Sequence, residues 1–301
     1  MMVFQKTPAG AGVIALPASI RTPTARGPIE HIDAGQGPAL LALHGGMGGY
    51  DQSWLLARAL VPDVGAWRII APSRPGYGRT PLTAGGAPEQ QADAMAALLD
   101  ALGVPQAVVA GVSAGGPPAL QFALRHPDRC RALILVSAAT GRLDIGGDIM
   151  GRLRAMNVLA KLPGLPALLR WRVARDPRVA AARSIHDPDV LERTLHDPEA
   201  GPLLVALLTG VMDHLGNRLP GTGNDMVHLA NPPDFPFERL LMPVLVIHGT
   251  DDRIVPFSHG LAVVRRAPRA RLLDITGGEH VALFTHLRQV RAAVAAFLAQ
   301  G

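Results

Sequence analysis

Ser113 lies in the string Gly111-Val112-Ser113-Ala114-Gly115, where an apolar run, Ala107-Val108-Val109-Ala110, gives way to a helical pattern from Pro118 through Leu124. A serine on a sharp strand-to-helix turn has its hydroxyl pushed out from the backbone. Glycines on either side let the chain turn tightly and let a base approach. The turn also aims the first free amides of the following helix at the reacting centre. The chemistry that suits such a serine is nucleophilic attack on an acyl carbon. A hydroxyl is a poor nucleophile at neutral pH, so it needs a base in hydrogen-bond reach and a third group to orient that base.

Two later segments offer those groups. Gly249-Thr250-Asp251-Asp252-Arg253 follows the apolar run Val244-Leu245-Val246-Ile247, and Gly277-Gly278-Glu279-His280 follows the run that ends at Ile275. Both are loops after strands, which places them with Ser113 at the carboxyl edge of a parallel sheet, where open α/β sheets bind ligands. Asp251 and Asp252 both qualify by position as the orienting acid. His280 is the candidate base, whereas His286 falls inside a helical pattern and reads as surface or core edge. His186, His196, His214 and His228 are too irregularly spaced for a metal motif, so no metal site is expected.

Acyl transfer develops a negative oxygen that must meet preorganised donors. One expected donor is the amide of Ala114, directly after the serine. The other is expected from the glycine loop His44-Gly45-Gly46-Met47-Gly48-Gly49, with Gly46 first and Met47 next. The loop lacks the lysine of a phosphate-binding G-x-x-x-x-G-K-[ST] motif, which excludes a nucleotide site of that kind.

The elements that must position these residues are legible as alternating patterns. Strand-like runs sit at Leu40–Leu43, Trp67–Ala71, Val108–Ala110, Ala132–Val136, Val244–Ile247 and Ala270–Ile275, with helical stretches near 51–60, 88–102, 116–125, 257–266 and 286–299. This alternation predicts an α/β fold, a mostly parallel sheet with helices on both faces. It breaks at 141–240, where helical segments occur without a clear strand and Pro163, Pro166, Pro177, Pro188, Pro198, Pro202 and Pro220 divide the chain. The expected organisation is an N-terminal extension (1–24), a core domain in two parts (25–140 and 241–301) and an inserted helical cap (141–240). Residues 142–183 carry nine Lys/Arg against three Asp, and 184–240 carry three Arg against nine Asp/Glu. That reversal predicts that the two halves pair with each other. Part of the apolar surface supplied by the leucines of 153–169, with Met156 and Trp171, is expected to roof an apolar pocket above Ser113.

Composition bounds the alternatives. The 301-residue chain is 48% hydrophobic, enough for a large core, and has no 18-residue apolar run, so no membrane span is expected. The net charge of +5 rests on arginine, since Lys6 and Lys161 are the only lysines. The arginines are scattered and not interleaved with aromatics, so no nucleic-acid partner is expected. Cys130 is the only cysteine, which rules out an intramolecular disulfide, and it reads as a small residue at the core edge. The apolar stretch 12–16, between Pro8 and Pro17, is short for a signal peptide, and a cytoplasmic setting is expected.

Over about residues 27–300 the sequence resembles the α/β-hydrolase superfamily, through the His44–Gly49 loop, Arg74-Pro75-Gly76-Tyr77-Gly78, the Ser113 turn, Gly249-Thr250-Asp251-Asp252 and His280. The resemblance implies a Ser113, His280, Asp252 triad, because the family's acid usually stands three residues after the glycine that ends its strand. It implies action on a small-molecule acyl substrate without a cofactor. A serine in place of an aspartate argues against haloalkane dehalogenase and epoxide hydrolase chemistry. The activity expected first is hydrolysis of a small or medium carboxylic ester. The alternatives are a carbon–carbon bond hydrolase of the dienone type, a cofactor-free haloperoxidase-like enzyme, an aminopeptidase, and a ligand-binding sensor on the same scaffold. The glycine loop looks like that of proline iminopeptidases, but the Ser113 turn lacks their tryptophan. Glu279 departs from the family, which more often has glycine before the histidine.

Overall fold

A computed structural model describes residues 14–300. Eight strands form one sheet: β1 (Ile20–Thr22), β2 (Ile29–Ala34), β3 (Ala39–Leu43), β4 (Arg68–Pro72), β5 (Ala107–Val112), β6 (Cys130–Val136), β7 (Val244–Gly249) and β8 (Ala270–Ile275). Their order is β1-β2-β4-β3-β5-β6-β7-β8. β1 and β2 pair antiparallel, β2 runs antiparallel to β4, and the ladders from β4 to β8 are parallel.

The central strands read as unbroken apolar runs because both faces are covered. β3 is buried at every position. Its side chains alternate: Leu40 and Ala42 join the core on one face, Leu41 and Leu43 the core on the other. The first face is covered by α1 (Tyr50–Leu60) and α12 (Leu287–Leu298), and the second by α2 (Pro88–Ala101), α3 (Gly116–Arg125) and α10 (Ser258–Arg266). The two antiparallel strands β1 and β2 are absent from the sequence expectation for a physical reason. β2 carries Glu30, His31 and Asp33, and the buried Glu30 carboxylate is satisfied by hydrogen bonds from Ser19, Ser73 and Arg79. Residues 1–13 of the expected extension lie outside the described residues, as does the start of the 12–16 stretch. The far end of the extension forms β1 and belongs to the sheet.

Between β6 and β7 the chain forms α4 (Gly147–Leu159), α5 (Leu165–Arg175), α6 (Arg178–Ala181), α7 (Pro188–His196), α8 (Ala200–Asp213) and α9 (Leu215–Ala230). Proline 220 does not divide this segment, because α9 runs through it. A proline has no amide to donate to the preceding turn. At this turn the helix instead exchanges backbone bonds with the 76–78 loop: Gly221 N donates to Gly76 O (2.8 Å) and Gly78 N donates to Asn217 O (2.9 Å). The Tyr77 ring lies against Gly221, where a side chain would collide with it.

The charge reversal is used differently from the expectation. Arg170–Asp213 and Arg178–Glu192 do link the two halves of the insertion. The acidic half otherwise pairs with core arginines, through Asp225–Arg74, Glu199–Arg291, Asp197–Arg288 and Glu238–Arg266.

Candidate active site

Four loops at the carboxyl ends of β3, β5, β7 and β8 build the site. After β5 the chain turns at Ser113, whose φ of 53° is in the left-handed region, uncommon for a residue with a side chain. Ala139 N donates to Ser113 O at 3.0 Å and ties the turn to the end of β6. Gly115 is forced by close approach, since a Cβ there would stand 2.4 Å from Leu43 O and 2.5 Å from His44 O. The turn and the glycine loop after β3 are therefore in backbone contact, with Gly45 directly against Ser113.

The acid loop and the histidine loop are likewise joined. A Cβ at Gly249 would lie 2.1 Å from Gly278 O, so only glycine fits there. Thr250 N donates to Ile275 O, Asp251 N to Gly278 O, and Gly277 N to Thr250 Oγ1. This junction brings three sequence-distant residues into line. Ser113 Oγ lies 3.1 Å from His280 Nε2, and His280 Nδ1 lies 2.9 Å from Asp252 Oδ2.

Asp252 is buried and Asp251 is exposed. The Asp252 Oδ1 also accepts from Ile254 N and Val255 N, both at 2.9 Å. Burial alone would raise the Asp252 pKa. Hydrogen bonds from His248, His280 and the Val255 amide outweigh it and hold the carboxyl far below the ordinary carboxylate range. An ionised Asp252 accepts, so His280 Nδ1 carries the proton and Nε2 is left to accept from Ser113. Asp251 instead accepts from Thr250 Oγ1. His286 pairs with Thr285, away from Ser113.

The expected oxyanion donors divide. Gly46 N and Ala114 N have no hydrogen-bond acceptor among the described residues. Met47 N is occupied: it donates to Thr222 Oγ1 at 3.0 Å. The sequence places Met47 in the loop but says nothing of a partner that comes from 175 residues further along. His44 is fully buried, with Nδ1 on Gly45 O (2.7 Å) and Nε2 accepting from Arg74 N (3.0 Å). Burial, with the charge of Arg74, lowers its pKa well below the ordinary value, and the neutral ring braces the loop.

The surroundings of Ser113 are apolar: Ala114, Ala139, Leu229 and Val255 form a small buried cluster, with Met226 against it. Met226 and Leu229 come from α9; of the residues expected to form the roof, Leu159, Leu162, Leu168 and Trp171 are 41 to 55% exposed, and Leu153, Met156, Leu165 and Leu169 are half-buried. Two buried ion pairs flank the site. Arg74 is bidentate to Asp225 (2.6 and 3.0 Å), and Arg218 Nη2 meets Asp51 at 2.7 Å. Sequence reading missed Arg218, Thr222 and Asp225. Their spacing of four and three places them on one face of α9, and that polar stripe is the signal that was there to find. Among the described residues no group of three His, Cys, Asp or Glu is placed to hold a metal ion, and no helix is long and apolar enough to cross a membrane.

The sequence model of the alpha/beta hydrolase fold family matches residues 38–287. The chain belongs to that family. A 2-hydroxy-6-oxononadienedioate/2-hydroxy-6-oxononatrienedioate hydrolase of Burkholderia vietnamiensis is 27% identical over 90% of either chain. A 2-hydroxymuconate semialdehyde hydrolase of a Pseudomonas species is 27% identical over 89% of either chain. Among solved structures, an alpha/beta hydrolase fold protein from Nakamurella multipartita is 30% identical, with a TM-score of 0.82 over 94% of this chain and 100% of that one.

Proposed function

We propose that this chain is a serine hydrolase that cleaves a carbon–carbon bond next to a ketone in a 2-hydroxy-6-oxo-dienoate type of compound. The observation that carries the reading is its nearly full-length similarity to hydrolases named for such substrates. The residues at the strand ends suit the chemistry. His280 Nε2 takes the Ser113 proton as Oγ attacks the ketone carbon, and Asp252 stabilises the imidazolium. The oxyanion sits on the Gly46 and Ala114 amides. The carbon–carbon bond then breaks. For this the 2-hydroxydienoate must first ketonise, its hydroxyl giving up a proton and C5 gaining one, so that the electron pair released at C5 flows through the enone to the 2-oxo oxygen; the resulting dienolate takes the proton from His280, and the acyl group stays on Ser113. Water, deprotonated by His280, releases the acid. Residues 141–240 act in this reading as a cap over the acyl pocket.

One observation favours a second reading, hydrolysis of an uncharged carboxylic ester. The Ser113 surroundings are apolar, and the two buried arginines flanking the site are already paired with Asp225 and Asp51. The test is a direct comparison of kcat/KM for 2-hydroxy-6-oxo-6-phenylhexa-2,4-dienoate, 2-hydroxymuconate semialdehyde and p-nitrophenyl esters from acetate to octanoate. The first reading expects a dienoate to be preferred by about 100-fold or more, or roughly 2.7 kcal/mol of transition-state binding. An ester preference of that size would replace it with the second.

A further inference from the structure

We propose that Thr222, on the cap helix α9, is a positioning residue that holds the glycine loop in the conformation that presents the Gly46 amide to the oxyanion. The inference rests on the serine-hydrolase reading and applies to ester and carbon–carbon cleavage alike.

The argument starts from the rigidity of the peptide unit. In a trans peptide the C=O and the N–H point in opposite directions, so holding one fixes the other. The Gly46 N–H belongs to the same unit as Gly45 O. That oxygen accepts from His44 Nδ1 (2.7 Å) and Arg74 Nη2 (3.3 Å). The next unit carries Met47 N–H, which donates to Thr222 Oγ1 at 3.0 Å. Met47 O, one unit further, accepts from Arg218 Nη1 (3.1 Å) and Gln52 Nε2 (3.2 Å). Gly46 is thus gripped on both sides, from the core on one and from α9 on the other.

The grip from α9 is needed because Met47 sits at a φ of 56°, a left-handed conformation that costs a residue with a side chain about 1–2 kcal/mol. Gly46 gives no help, since a Cβ built there would meet nothing within 4 Å. Space is open beside Gly46 for its peptide to turn when Met47 N–H is released. Thr222 is itself fixed. It is buried, and its hydroxyl donates to Arg218 O (2.8 Å), which turns the oxygen lone pairs toward Met47 N–H. Asp225, one turn on, holds the Arg74 that grips Gly45 O. One face of α9 therefore reaches the peptide unit that carries the Gly46 amide, through Arg74, and the unit after it, through Thr222.

The test uses the full chain with p-nitrophenyl butyrate and a fluorophosphonate, whose P–O group occupies the oxyanion position. Rates are expressed per labelled Ser113, so misfolded protein does not count. Thr222→Val keeps the side-chain volume and removes the acceptor. It should lower kcat and the phosphonylation rate together by about 10- to 100-fold, below the 10²–10³ of a lost oxyanion donor, with KM within about threefold. Thr222→Ser keeps the acceptor and should restore both rates to within about threefold. Thr222→Ala, which suits a helix interior, should repeat the valine result where valine folds poorly. A fully active Thr222→Val or Thr222→Ala protein overturns the inference alone, and so does a serine variant as slow as the valine one. A wild-type protein whose Ser113 the phosphonate does not label overturns the serine reading and this inference with it.

Discussion

The carboxylate of Glu279 accepts a 2.7 Å hydrogen bond from the backbone amide of His186, so the residue before His280 is tied to the helical insertion. The His186 ring contacts the same carboxylate. A glycine at this position could make neither bond. Replacing Glu279 by Gly should leave the Ser113–His280–Asp252 line intact and loosen the insertion at α6–α7. Limited proteolysis should cut the variant faster than wild type between residues 176 and 188, with kcat for a small ester changed by less than about threefold. Unchanged proteolysis would mean that the Glu279 link contributes nothing to holding the insertion.

Replacing Ser113 by Ala should lower kcat by several orders of magnitude and abolish fluorophosphonate labelling, leaving a residue of rate from oxyanion donors and binding. Mass spectrometry of the labelled peptide decides it. Label retained in the variant would place the nucleophile elsewhere.

The two adjacent carboxylates should behave very differently. Asp252→Asn should cost on the order of 10⁴-fold in kcat, because Asp252 sets the His280 tautomer. Asp251 is exposed and bonds only to Thr250 and the Gly278 carbonyl, so Asp251→Asn should change kcat by less than about threefold. Steady-state kinetics of both variants on one substrate reverse the assignment if the larger loss falls on Asp251.

Stability should fall on the acid side. The folded pKa of His44 lies well below its ordinary 6.5, from burial first and the charge of Arg74 second, and those of His31 and His259 are lowered too, chiefly by burial. Between the folded and unfolded values the unfolded chain binds more protons. The stabilisation is therefore complete above about pH 6.5 and is lost as pH falls toward the folded values. Urea midpoints measured at about pH 7.5 and about pH 5 should show the drop. His44→Gln should be less stable at the higher pH and show a smaller drop. An equal drop would remove His44 from the account.

Arg74 and Asp225 are both buried and bidentate, so removing one partner leaves a charge without compensation. Asp225→Ala should destabilise the protein by about 3–5 kcal/mol, read as a lowered denaturation midpoint. A loss under about 1 kcal/mol would mean that Gln91, Tyr77 and the loop carbonyls suffice to hold the guanidinium.

Much of this was legible in the sequence because it was local. The turn at Ser113 announces itself through glycines whose Cβ positions are occupied by backbone, and the loops after β7 and β8 follow apolar runs that leave little doubt about where the strands end. The grip on the glycine loop was illegible because it joins Met47 to Thr222 and Arg74 to Asp225 across some 150 residues or more, and nothing in either segment names its partner. The role of the apolar residues of α4 and α5 was illegible for another reason. Leucine spacing shows that a helix has an apolar side but not how far that side meets the core: Leu159, Leu168 and Trp171 are exposed, while Leu153, Met156, Leu165 and Leu169 are half-buried. Pro220 was read as a break, since chain-local rules do not foresee a neighbouring loop that supplies backbone partners at the proline turn.

The Arg74–Asp225 and Asp51–Arg218 pairs bear on how such chains can be recombined. Residues 141–240 have the outline of a cassette, entering after β6 and leaving before β7. Yet each pair has one member inside that stretch and one outside it. A chimera that took its helices from another hydrolase would inherit Arg74 and Asp51 as orphans in a dry interior. The 141–240 stretch must therefore be exchanged together with Asp51 and Arg74, the four charged residues changed as couples.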